Sequence, residues 1–129
     1  MAEELRGLRP AGLHGDIDLW YPGANFGHVD QWLAHVNDLV EIPAKQFSHK
    51  WAFFCERVMI EVLLLQPRDG GLITRFFDGR YVLAWPRETL GDVQVGGQRL
   101  AVVSVQARKL YREHHPQIAH AYQAFLSQA

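Results

Sequence analysis

The sequence predicts an α+β fold in which a mixed, mostly antiparallel sheet packs against helices. Three observations carry that expectation. A segment alternating with period two opens the pattern and is followed by a helical repeat. The middle of the chain is a succession of short β-rich runs divided by turn dipeptides. Helical spacing returns only near the end, so strands follow strands instead of alternating with helices, which argues against a βαβ repeat.

The elements follow in order. Residues 1–13 contain Gly7, Pro10 and Gly12 and read as an irregular arm. Asp16 to Tyr21 (DIDLWY) alternates as a half-buried strand does, and Pro22-Gly23 breaks it. From Asn25, the positions Phe26, Val29, Trp32, Leu33, Val36, Leu39 and Val40 have helical spacing, with Asn25 placed to cap and Pro43 beyond the far end. WAFFCER and VMIEVLLLQ read as two strands turning near Glu56-Arg57, and Pro67 to Gly71 (PRDGG) is a strong turn signal. LITRFF, RYVLAW, DVQV and RLAVVS are further short strands, with hairpin chemistry at Asp78-Gly79 and Gly96-Gly97. Ser104 opens a helix through SVQARKLYREHH, and Pro116 suits the first turn of a separate last helix through Tyr122, Phe125 and Leu126.

Composition narrows the function classes. A chain of 129 residues with 48% apolar and 21% charged residues reads as one globular domain able to build a core without crosslinks. The net charge of −1 and a pI near 6.6 disfavour general nucleic-acid or membrane binding. A single cysteine, Cys55, excludes an internal disulfide and fits a reducing cytoplasm; it reads as a structural thiol. The polar N-terminus lacks the apolar stretch of a signal peptide, and Val62 to Leu65 is too short to span a bilayer. Four Trp, four Tyr and seven Phe are read mainly as core or dimer interface, with Trp20 placed to flank a ligand.

The chemistry concentrates in three acids. Asp16 and Asp18, two apart on a strand, share a face at roughly 6.5–7 Å spacing. Like charges so close call for solvent or a cation, and magnesium suits hard oxygen ligands. The plainer alternative has Ile17, Leu19 and Tyr21 facing the core while Asp16, Asp18 and Trp20 face water. Glu61 lies inside the apolar run MIEVLLL, where a carboxylate must be paired, metal-bound or aimed into a cleft. A salt bridge to a neighbour such as Arg57 is the plain reading. As a third acid beside Asp16 and Asp18, Glu61 completes a cation site and offers a general base toward a hydroxyl. Arg108, Lys109 and Arg112 form a basic patch, read as a solvated face or as contacts to phosphate. His114, His115 and His120 cluster near the end but lack a full zinc ligand set.

HGDIDLW (His14 to Trp20), then a helix, then an acid within an apolar strand, resembles the aminoglycoside and lincosamide nucleotidyltransferases of the polymerase-beta-like superfamily. VMIEVLLLQPRDGGLITR is similar to that group's strand bearing the third carboxylate and the polar loop after it. GRYVLAWPRETL and VQVGGQRLAVVSVQARKLYREHH resemble its closing pattern, so the resemblance spans about residues 14–115. It implies a nucleotidyltransferase-like fold and transfer of a nucleoside monophosphate from a nucleoside triphosphate to a hydroxyl of a small molecule. Asp16 and Asp18 would hold Mg²⁺ and the triphosphate. Glu61 would orient a second ion and accept the hydroxyl proton, and His14, Arg108 and Lys109 are the candidate nucleotide-binding residues. The family's Gly-Ser or Gly-Gly turn upstream of the acid pair has no counterpart in the 15 residues before Asp16, where Gly7-Leu8 offers no hydroxyl. The resemblance is therefore to an N-terminally shortened member. It leaves two alternatives: a reduced, non-catalytic binding or interaction module, and an unrelated α+β dimer around an aromatic pocket. Loss of an upstream helix and strand predicts a homo-oligomer.

Overall fold

The computed structural model describes residues 16–36, 38–95 and 97–128, so the N-terminal arm and His14 lie outside it. The longest strand, β4 (Val58–Arg68), organises the architecture. Along one stretch it pairs in parallel with β1 (Asp16–Pro22), and along overlapping residues it pairs antiparallel with β3 (Lys50–Cys55). β3 also pairs with the short β2 (Leu39–Glu41). The far end of β4 turns into β5 (Gly71–Phe76), which pairs with β6 (Tyr81–Ala84), giving a mixed sheet of six strands that is antiparallel except at β1. A separate hairpin joins β7 (Leu90–Val95) to β8 (Gln98–Val103). With its C-terminal helix, the protein has the α+β class that the order of its patterns predicts.

Turn chemistry sets the hairpins. Between β4 and β5, Asp69 and Gly70 both take positive φ, at 50° and 81°. That is the left-handed pair a two-residue hairpin needs to match strand twist, and the Asp-Gly dipeptide supplies it. Glu56, at φ 56°, makes the β3–β4 turn, with Cys55 paired to Val58.

Both helical expectations needed correction. The first helix, α1 (Gly27–Leu33), is half the expected length, and Leu39 and Val40 belong to β2. Val40 pairs with Phe54 across the sheet, so pairing with β3 overrides helical spacing at those positions. Asn25 nevertheless acts at the entry: its Oδ1 accepts a hydrogen bond from the Gly27 N–H at 2.8 Å. At the other end a single helix, α2 (Val105–Ser127), runs through Pro116. Proline removes one internal hydrogen bond, but Ala107, Ile118 and Ala121 on both sides of it bury into one core and keep the helix continuous. Ser104 caps α2, accepting from the Ala107 N–H at 3.1 Å.

The sheet is covered on both faces, which is why Val62 to Leu65 reads as an unbroken apolar run. Leu63 and Leu65 face the α2 side, with Phe76, Leu83 and Trp85. Val62 and Leu64 face the opposite side with Phe26 and Phe53, against which Val29 and Leu33 of α1 pack. Thr74, fully buried, ties the layers: its hydroxyl donates to the Leu64 carbonyl and accepts from Trp85 Nε1, both at 2.8 Å. Among the described residues no helix is long and apolar enough to cross a membrane.

Candidate functional site

The parallel pairing of β1 with β4 brings distant acids together. In register, Asp18 lies opposite Glu61 and Asp16 opposite Met59. Neighbouring strands run roughly 4.8 Å apart, and residues directly opposite share a face. Asp18 and Glu61 therefore project to the same side, toward α2. They line one small recess of about 60 Å³ with Lys50, Arg108 and Tyr111. A recess of that size has room for a cation or a few waters. The side chain of Asp16 lies outside the described residues, as does His14.

The plainer sequence reading holds for Asp18, which is exposed, and for Tyr21, which packs against Phe26, but fails for Trp20 and Leu19. Trp20, on the face of Asp18, packs into the core with its ring tilted against Trp85 at 4.5 Å and Tyr111 at 5.8 Å. Leu19, which that reading turned inward, is 48% exposed. Asp18 is thus exposed at the rim of a packed aromatic layer.

Glu61 is held by two lysines rather than by Arg57, the neighbour sequence reasoning named. Lys50 Nζ lies 2.7 Å from Oε2 and Lys45 Nζ lies 3.2 Å from Oε1. Lys50 opens β3, two residues before Ala52, the residue paired with Glu61. Lys45 closes the short 3₁₀ turn Pro43–Lys45. Burial pushes the Glu61 carboxyl upward, but the hydrogen bond and charge of Lys50, joined by those of Lys45, outweigh it and hold the group below the ordinary carboxylate range. Burial first, then the charges of Asp18 and Glu61, push the Tyr111 hydroxyl up to about 12, against the opposing charge of Arg108.

The basic candidates part company on α2. Arg108 lines the recess, and its buried Nε has no hydrogen-bond partner among the described residues. Lys109, one residue on, points to the outer face: its side chain is 76% exposed and pairs with Glu113 at 3.9 Å. Among the described residues no three potential ligands converge as a metal centre.

Lys50 and Tyr111 also line a second, larger cavity of about 270 Å³ beside the recess. Sequence reasoning missed this cavity and the buried His49 within it. Phe77 adopts φ 52°, uncommon for a bulky residue, and its N–H donates to His49 Nδ1 at 3.2 Å. The sequence signal was QFSHK, polar and charged residues interleaved with aromatics before a buried strand, but spacing alone does not distinguish a cavity wall from a core.

No protein-family model, curated protein or solved structure matches the chain. The chemistry of the site is therefore argued from its own residues.

Proposed function

We propose that the protein is a nucleotidyltransferase-like enzyme that transfers a nucleoside monophosphate from a nucleoside triphosphate to a hydroxyl of a small molecule. The observation that carries this reading is the register that sets Asp18 beside Glu61 on one face, in a recess flanked by Arg108 and Lys50. Acids on neighbouring strands with cations opposite suit an anionic phosphate chain bridged by a hard divalent ion. Asp18 fits such an ion by donor chemistry. Bound there, magnesium would neutralise the triphosphate and orient its α-phosphorus. The Arg108 Nε, a donor without an acceptor among the described residues, is suited to a phosphate oxygen. On this reading Glu61 takes the proton from the acceptor hydroxyl. Its lowered pKa keeps it ionised at neutral pH, which makes it available but a weak base.

A second reading is favoured by one observation. Both oxygens of Glu61 are already engaged by lysines, so the cationic role of a second metal ion is filled by protein. On that reading the protein is a reduced, non-catalytic member of the fold acting as a binding module. Calorimetry with ATP and GTP in the presence of Mg²⁺, on wild type and Asp18→Asn, separates the two. Magnesium-dependent binding that disappears in the variant supports transfer and justifies screening hydroxyl acceptors. Absence of nucleotide binding in the wild type rejects transfer in favour of the binding module.

A further inference from the structure

We propose that the cavity beneath α2 binds a small planar aromatic acid, a single ring bearing a carboxylate. At about 270 Å³ it exceeds the roughly 150 Å³ that accommodates benzene in an apolar protein cavity, and so takes one substituted ring. Its walls are aromatic: Phe47 meets Phe77 edge-on at 5.2 Å, and Phe77 stacks on Tyr122 at 5.1 Å. Such an arrangement offers both faces and edges to an inserted ring.

The polar groups of the cavity select the charge. Among its described lining residues two are lysines and none is acidic. Each ammonium group has three N–H donors, and among the described residues Lys45 and Lys50 each pair only with Glu61. His49, which lines the cavity, adds a ring N–H. Its Nδ1 accepts from the Phe77 N–H, so the neutral ring carries its proton on Nε2. Burial, helped by the charge of Lys50, holds its pKa down to about 4. A cationic ring would meet two ammonium groups, and a purely apolar one would leave these donors unmatched. A carboxylate satisfies them while its ring fills the aromatic end.

Because Lys50 and Tyr111 are shared with the Asp18–Glu61 recess, an acid seated on Lys50 brings an ortho substituent toward Glu61. Such a molecule is the acceptor class for the proposed transfer; that role rests on the nucleotidyl-transfer reading, whereas binding in the cavity does not.

The test is a calorimetric titration of the full chain with salicylate, against neutral salicylamide and cationic benzylamine, without metal or nucleotide. Salicylate is expected to bind at least about tenfold more tightly than either, since one charge-assisted hydrogen bond accounts for a difference of that order. Lys50→Met should weaken it about tenfold by removing those donors. Ala119→Phe, at an exposed helix position lining the cavity, should abolish it without lowering the melting temperature. Asp18→Asn should leave it unweakened. Failure of salicylate to bind, equal binding of salicylamide, or undiminished binding by Ala119→Phe would overturn the site. Salicylate binding as described, in a protein that binds no nucleotide, would uphold the site and overturn only its role as an acceptor pocket.

Discussion

Acidification should destabilise this protein through His49 before most carboxylates titrate. The ring is 3% exposed, accepts the Phe77 N–H, and lies against Phe47, Phe76 and Phe77 at centroid distances of 4.8–5.4 Å. Burial lowers its pKa from 6.5 to about 4, the charge of Lys50 adds to that, and Asp78 opposes it. The sign follows from proton uptake: between those values the unfolded chain binds the proton and the folded chain does not. The contribution is thus complete above pH 6.5, declines as pH falls, and is lost below about pH 4. A separation of roughly 2.5 units at 1.36 kcal/mol per unit amounts to about 3 kcal/mol. Urea unfolding across this window, on wild type and His49→Gln, measures it. Glutamine keeps an acceptor for the Phe77 N–H but does not titrate, so the wild type should lose about 3 kcal/mol more than the variant between neutral pH and pH 4. Parallel pH profiles for the two proteins would refute the assignment of a buried neutral imidazole.

Other consequences are open to measurement. Thr74→Val leaves Trp85 Nε1 without its acceptor in a buried site and should cost about 1–3 kcal/mol in urea unfolding. Ser104→Ala removes the cap of α2 and should cost about 1 kcal/mol, read from the same melts. Glu61→Gln should flatten the acid limb of the stability profile, because a carboxyl with a lowered pKa stabilises the fold above its unfolded value and loses that contribution as pH falls. Val40 and Phe54, paired across β2 and β3 at 64% and 41% exposure, form an apolar patch suited to self-association. Light scattering should show an oligomer that Val40→Lys/Phe54→Lys reduces to a monomer; a monomeric wild type at micromolar concentration would dispose of that expectation.

What the sequence determined by itself was local. The alternation of β1, the Asp69-Gly70 turn and the Ser104 cap depend on residues within a few positions of one another, and short-range sterics and hydrogen bonding make them legible. The isolation of Glu61 in an apolar strand was equally visible, because burial of a carboxylate demands a partner whatever the fold. Tertiary structure decided which partner. Strand pairing brought Lys50, and the 3₁₀ turn before β3 brought Lys45, to Glu61 in place of the nearby Arg57, and the parallel register placed Asp18, 43 positions earlier in the numbering, directly opposite Glu61. It also turned Trp20 inward and Leu19 outward, a choice alternation cannot make because both faces of β1 carry apolar residues. The length of α1 and the continuity of α2 through Pro116 were settled in the same way. In each case long-range packing and pairing exceeded the local propensity that short windows of sequence report.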